Sequence, residues 1–466
     1  MNSTCQYKLL SPATSGESQD LLEGKNQEAG LRRLHALLAE WLRMENVVVL
    51  TAAGCSKSAG GPLMSDLEKL VLEAVEKCDL SAEAKSIIEW KKNNGYKDGN
   101  FESWLSYLFN ASGLISEKNS PINSISWKGR KKTEDLEIKF NVEDEEKLRT
   151  YIQRAIYGEC ALELNLDELT DDVENSSGHI PFLSKLIARD TSLGRTHLFT
   201  LNYDTLFEQA MEELGVQYFD GFSGKASSRF DPAVYGLDIY YPGDVAEGRV
   251  RRFDKFLQYY KLHGSLHWYV DSRGIYRAQH KDMSFATKYR ELVDDTEEKA
   301  KLLEGSAFEN VQDFGILPTS QKFSQTLDMP YSHLFRLFQA RLNQPQTFLL
   351  VLGYGFGDEH VTRIIETALT NPSLVMLVVE PNAGENSEIY KRITRYQELG
   401  QRAFVLTERL QDGEKPTYTI ATFPDFAVNV MPDVQWLDDF KRLRKFEEQL
   451  KKTDDPDVHK SLDGEG

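Results

Sequence analysis

A Rossmann-like α/β fold, a doubly wound parallel sheet with a large helical insertion, is predicted by three observations. First, short aliphatic or β-branched runs recur at residues 47–51 (VVVLT), 196–201 (THLFTL), 347–352 (TFLLVL), 374–379 (LVMLVV) and 403–406 (AFVL). Continuous apolar runs of this length suit strands buried on both faces, as in parallel sheets. Second, the first three runs end in small or polar turn residues, and helical periodicity follows each turn, which is the βαβ order. Third, 466 residues exceed one ordinary domain and suit a large domain with insertions, or two domains.

Taken in order, residues 1–28 are polar and aperiodic and read as an N-terminal tail. Leu31, Leu34, Leu37, Leu38 and Leu42 recur at helical spacing and predict an amphipathic helix over 31–43. After the first strand, Leu67, Leu70, Val71, Ala74 and Val75 predict a second helix from residue 65. A helical insertion spans about 83–193, with helical patterns at 101–109 and 146–156 and a polar, mobile or hairpin-like excursion at 119–145. Helical patterns also follow the second and third strands, at 205–214 and 360–369. A second, turn-rich insertion covers about 219–332, with a charged helical middle at 289–303. The main domain therefore runs over 29–432, and 433–466 reads as a C-terminal helix at 434–450 with a charged tail.

The hydrophobic fraction of 40% and aromatic fraction of 11% describe a globular chain. A formal net charge of −18 argues against a general phosphate-neutralising surface, so direct nucleic-acid binding is not expected. The short basic run 128–133 reads as solvated loop. Cys5, Cys55, Cys78 and Cys160 include no C-x-x-C pair, so neither a four-cysteine zinc site nor a disulfide framework is expected. The first residues lack an apolar leader core, and no window approaches about eighteen continuous apolar residues. A cytoplasmic protein without membrane contact is the expectation.

Four segments carry candidate chemistry. Residues 51–62 (TAAGCSKSAGGP) place small residues after a buried strand, where backbone N–H groups can approach a phosphate. Thr200, Asn202 and Asp204 stand at the carboxyl end of the second strand, at the crevice where α/β sheets bind ligands. A structural account is equally open: Asp204 as a helix cap and Asn202 as a partner for loop backbone. His263, in the KLHG stretch 261–264, is a candidate general base near neutral pH, with His267 as a rival. Residues 351–358 (VLGYGFGD) form another strand-to-glycine turn, suited to a phosphate or ribose or simply to close helix packing.

The order of these segments resembles the sirtuin family. Its pattern G-A-G-x-S-x-x-x-G-x-P is met by Ala52, Ala53, Gly54, Ser56, Gly60 and Pro62, with Ala52 as the one mismatch. Residues 316–322 (ILPTSQK), Pro330-Tyr331 and 352–360 (LGYGFGDEH) look like the bacterial sirtuin-like branch found in anti-phage defence. The resemblance covers about 47–381. Two departures stand out: Ala52 adds a methyl where a glycine is usual, and Leu63, Met64 and Ser65 replace the family's aspartate, phenylalanine and arginine. With the missing cysteine module, these differences argue against an acyl-lysine substrate.

The resemblance implies hydrolysis of the N-glycosidic bond of NAD to nicotinamide and ADP-ribose, with NAD as substrate and no zinc. Asn202 would hold the ribose or the attacking water, His263 would accept a proton, and Asp204 would orient the site. Ala53, Gly54 and Ser56 would cradle the pyrophosphate, with Ala52 and Thr200 also contacting the cofactor and Gly353, Tyr354 and Gly355 near the adenosine half. An NAD-dependent protein deacylase and a non-catalytic NAD- or ADP-ribose-binding subunit are the alternatives. The branch further implies NAD depletion as a defence output, a homo-oligomer, and a hexameric HerA-type ATPase as partner, or an Argonaute-like protein in other systems.

Overall fold

The structure, a computed structural model, describes residues 4–12, 18–95, 101–116, 120–122, 124–127, 135–139, 142–165, 173, 176–225, 228–241, 252–271, 273, 275–278, 284–293, 295–305, 329–394, 402–410 and 414–433. Its centre is a nine-stranded sheet. The strands are β1 (Tyr7–Pro12), β2 (Ser18–Asp20), β3 (Asn46–Thr51), β4 (His197–Thr200), β5 (Gln217–Phe219), β6 (Phe256–Lys261), β7 (Thr347–Leu352), β8 (Leu374–Val379) and β9 (Ala403–Glu408). They lie in the order β2-β1-β9-β8-β7-β3-β4-β6-β5. Every neighbouring pair from β9 across to β5 is parallel.

The central strands are buried on both faces, and alternate residues serve different cores. Val47 and Val49 of β3 join one apolar cluster, beneath the helices Gln27–Trp41, His179–Ile187 and Leu206–Glu213. Val48 and Leu50 join the other, beneath Tyr331–Leu342, Glu359–Ala368 and Glu388–Thr394. Helices on both faces of a mostly parallel sheet make the Rossmann-like, doubly wound arrangement expected from the recurring apolar runs.

A third core lies off the sheet. It gathers residues of the helices Met64–Glu76, Ala82–Gly95, Phe101–Ser116 and Val142–Cys160 with residues of Ser284–Glu291 and Thr296–Glu304. Helices from two distant stretches, read in sequence as separate insertions, therefore share one module. It begins at Met64 rather than near residue 83, while His179–Ile187 packs with the sheet layers. Two ion pairs are buried inside it, Lys91 with Glu68 at 3.0 Å and Lys299 with Glu159 at 2.7 Å. Within the polar 119–145 stretch, Ile125–Trp127 pairs antiparallel with Leu136–Ile138. The basic run 128–133, the segment 316–322 and the helix expected at 434–450 lie outside the described residues.

Two sequence expectations are corrected. The described residues within 1–28 are not a loose tail: β1 runs antiparallel to β9, and β2 antiparallel to β1, closing one edge of the sheet. The Arg409 guanidinium holds this corner, donating to the carbonyls of Cys5 (2.7 Å) and Tyr7 (3.0 Å) and to Asp20 Oδ2 (2.6 Å). The turn-rich stretch 219–332 also holds a sheet strand that the pattern did not mark: β6 runs through it, and its aromatic composition (FLQYYK) is β-prone without the aliphatic run that marked the other strands.

Progress along the chain moves outward from β3 to β4 and β6 on one side, then returns across β3 to β7, β8 and β9 on the other. The crevice between the carboxyl ends of β3 and β7 is thus the topological switch point, where open α/β sheets bind ligands. The loops leaving these two strands touch backbone to backbone. Gly54 N–H donates to the Gly353 carbonyl at 3.0 Å. A Cβ on Gly54 would stand 2.6 Å from Gly353 Cα, and a Cβ on Gly353 would stand 2.6 Å from the Cys55 nitrogen. Gly353 also sits at φ +62°, in the left-handed region. Gly353→Ala should therefore cost about 2–4 kcal/mol in urea unfolding, combining overpacking with left-handed strain. Gly355→Ala, with nothing within 4 Å of its added Cβ, should cost less than about 1 kcal/mol. Equal losses in the two variants would refute this account of the loop contact.

Candidate functional site

Register alone brings the candidate residues to one level. Thr51 of β3 pairs with Thr200 of β4 and with Leu352 of β7. Lys261 of β6 pairs with Thr200, and Val379 of β8 with Leu352. Asn202 and His263 each follow two residues beyond this line, as do Ala53 and Tyr354. The ladder continues past the strand ends, with Leu201 N–H donating to Thr51 O and Leu262 N–H to Thr200 O, each at 2.9 Å. Segments far apart in sequence are thereby set side by side at the carboxyl edge.

Above that edge lies a cavity of about 1420 Å³. Asn202, Asp204, His263, Ala52, Ala53, Gly54, Ser56, Gly353, Tyr354 and Gly355 all line it. Thr200 does not: it is 1% exposed, and its Oγ1 accepts the Asn202 N–H at 3.1 Å. Thr200 thus orients Asn202 and is corrected from a ligand contact to a support. Of the two histidines, His263 borders the cavity and His267 is not among its lining residues.

Ser56 ties the centre together. Its hydroxyl donates to Asp204 Oδ2 at 2.6 Å and accepts from Asn202 Nδ2 at 2.8 Å. Asn202 Nδ2 also donates to the Ala52 carbonyl at 3.1 Å. Both amide hydrogens are thus engaged, and Oδ1 is the side-chain group left to meet a ligand. Asp204 Oδ1 accepts the Leu206 N–H at 3.2 Å, so the same carboxylate, one residue ahead of the N-cap Thr205, also supports the first turn of the helix Leu206–Glu213. The structural readings of Asn202 and Asp204 and their placement at the cavity coexist in one arrangement.

The first loop differs from a simple phosphate cradle. Ala53–Ser56 is a single helical turn, continued by a 3-10 turn at Lys57–Ala59. The Gly54 N–H is occupied by Gly353, and the Ser56 hydroxyl by Asp204, so these two groups hold the site together. Ala52 has extended backbone, φ −143° and ψ −170°, which needs no glycine. Its methyl packs in the apolar cluster with Leu50, Leu201 and Tyr354.

His263 is 5% exposed, and its Nε2 stands 3.2 Å from Asp358 Oδ2. Gly264, at φ +92°, turns the chain behind it. Asp358 Oδ1 caps the helix Glu359–Ala368 by accepting the His360 N–H at 3.0 Å. One carboxylate therefore faces the imidazole and anchors a helix. The glycine turn is braced from below, with Tyr354 OH donating to the Asp358 carbonyl at 2.8 Å and sharing a hydrogen bond with Thr362 Oγ1 at 2.9 Å. Lys261 Nζ, 2% exposed, donates to the Asp204 carbonyl and pairs with Glu208 at 2.8 Å, joining the β6 and β4 exits.

Several lining groups escaped the sequence reading. Glu380 follows β8, and burial raises its carboxyl above the usual range. An acidic residue ending the next strand of a βαβ unit is the position that serves a ribose in dinucleotide folds, a signal the sequence did carry. Asp358 closed the glycine motif in plain sight. Tyr418, Asp425 and their neighbours arrive from a segment with no motif at all. Burial pushes the thiols of Cys55 and Cys160 up, which removes both as thiolate nucleophiles at neutral pH.

Burial also raises the Asp204 carboxyl, against the opposing effects of Lys261, Ser56 and the Leu206 N–H. Folding thus favours the protonated form. The stability this group contributes is present below the ordinary aspartate range and is lost as pH rises through the raised value. Asp204→Asn should flatten that part of the stability–pH curve in urea titrations. Parallel curves for the two proteins would contradict the assignment.

No helix of the described residues is long and apolar enough to cross a membrane. Among the described residues, no group of three or more His, Cys, Asp or Glu side chains could hold a metal ion. No curated protein matches the chain. Residues 196–398 match the family model described as SIR2-like domain, a span that includes Asn202, Asp204, His263, the Gly353 turn and Glu380.

Proposed function

We propose that this protein is an NAD glycohydrolase, releasing nicotinamide and ADP-ribose from NAD and water. The observation that carries the reading is the convergence of Asn202 and His263 on one cavity at the switch point of a dinucleotide-type sheet. The C–N bond to nicotinamide breaks readily because the leaving ring is cationic and departs neutral. The protein's task is then to hold the ribose, place a water and accept its proton.

Asn202 supplies Oδ1, fixed in direction because its amide hydrogens are committed to Ala52 and Ser56. His263 accepts the proton, with Asp358 Oδ2 facing its Nε2 at 3.2 Å. Glu380 is placed for the hydroxyls of the second ribose. The β6-to-β8 reach spans four inter-strand steps, roughly 19 Å at about 4.8 Å each, which suits a ligand with a ring at either end. The motif resemblance further supports a cytoplasmic anti-phage effector that depletes NAD, works as a homo-oligomer and is gated by a HerA-type ATPase.

The test is nicotinamide release from NAD by the full chain, alone and with a HerA-type ATPase, followed by chromatography. Wild type should form nicotinamide and ADP-ribose without any acylated peptide. Asn202→Ala and His263→Ala should each lower turnover by roughly 10²- to 10⁴-fold. Undiminished turnover in both variants would remove the assignment. Formation of O-acyl-ADP-ribose with an acylated peptide would move it to the deacylase reading.

A further inference from the structure

Among the described residues, five carboxylates line the cavity, those of Asp204, Asp358, Glu380, Glu388 and Asp425. Among the described lining residues, Lys57 is the only lysine or arginine. A phosphate-bearing ligand entering so acidic a space needs that ammonium. Lys57 belongs to the 3-10 turn after the first loop, and its Nζ stands 5.1 Å from the centre of the Tyr418 ring. It also acts electrostatically on Glu380, so Lys57, Tyr418 and Glu380 meet at the β8 end of the cavity, away from His263.

Tyr418 is held there at a conformational cost. It adopts φ +55°, and Ala421, three residues on, adopts φ +57°; neither is glycine. Anchors on both sides impose this backbone. The Glu408 carboxylate accepts the Thr417 N–H at 2.8 Å, and Asp425 Oδ2 accepts the Ala421 N–H at 2.8 Å. Asp425 is itself fixed by the Tyr7 hydroxyl at 2.9 Å and by Asn429 Nδ2 at 2.8 Å. The result is an aromatic ring that remains 52% exposed while bordering the cavity. A core residue would be buried, and a loop residue of no consequence would not be pinned from both sides.

We propose that Tyr418 and Lys57 form a clamp for the adenine-nucleotide half of the ligand, the phenol ring stacking on the purine and the ammonium meeting the adjoining phosphate. The Tyr418 face is already a cation–π partner of Lys57, so the ammonium lies close to where a stacked base would carry its phosphate. The clamp rests on the dinucleotide reading of the cavity and assigns its adenosine end to a segment outside the matched SIR2-like span.

Calorimetric titration of the full chain with ADP-ribose and with nicotinamide mononucleotide tests the clamp. Tyr418→Ala should weaken ADP-ribose roughly five- to a hundredfold, the range of one base–aromatic stack, and leave nicotinamide mononucleotide within about twofold. Tyr418→Phe keeps the ring and should bind ADP-ribose within about twofold of wild type. Lys57→Met should weaken ADP-ribose and reduce the salt dependence of its binding. If wild type binds ADP-ribose and Tyr418→Ala binds it equally well, the clamp is wrong while the dinucleotide reading stands. If wild type binds neither ligand nor NAD, the dinucleotide reading falls and takes the clamp with it.

Discussion

Two glycine-bearing loops pressed backbone to backbone at the switch point, Gly54 against Gly353, set the geometry on which the rest of the structure depends. At 2.6 Å from a built Cβ to the opposing backbone, no side chain fits at either position. The contact closes the crevice between β3 and β7 at its base and leaves the space above it open. It also redefines why small residues occur here. The glycines at the meeting point let two pieces of chain approach each other, whereas the cavity is shaped by the side chains around them.

Above that contact, the site economises by giving each polar group two duties. Ser56 joins Asn202 to Asp204, Asp204 also supports the first turn of a helix, and Asp358 caps a helix while facing His263. Such sharing fixes side-chain direction without extra residues, and preorganised direction is what a site offers a reacting centre. It also couples function to folding: the atoms that would orient a ligand are those that terminate β4 and begin Leu206–Glu213 and Glu359–Ala368. Lys261 extends the same logic, since the charge that ends β6 also holds the exit of β4.

The cavity's electrostatics are uneven. Among the charged groups described along its wall carboxylates outnumber the single lysine, which suits the cationic ring and the ribose hydroxyls of the proposed substrate and works against its phosphates. The opposing charge enters from the turn at Lys57 and the far wall from the segment around Tyr418 and Asp425, which Tyr7 of β1 braces through Asp425. An N-terminal strand, a C-terminal segment and the central sheet therefore build one end of the site together.

Much of the architecture was legible in the chain itself. Continuous aliphatic runs at β3, β7, β8 and β9 announced doubly buried strands, and the turns after β3, β4 and β7 marked the rim of the cavity. Asn202, Asp204 and His263 stood out because short polar groups follow apolar strands or punctuate turns. Other features carried no local signal. β1 is too mixed in composition to declare itself, and β6 is aromatic rather than aliphatic, so the strand that delivers His263 was invisible although the histidine was not. Thr200 looked like Asn202's equal because strand alternation cannot say which polar group faces the crevice. Sequence pattern thus determined the strands, their turns and the candidate residues, since those depend on local periodicity and backbone preference. Register, the meeting of Gly54 with Gly353, the pairing of His263 with Asp358 and the arrival of Tyr418 were decided only by the tertiary structure, because each depends on contacts between segments that are distant along the chain.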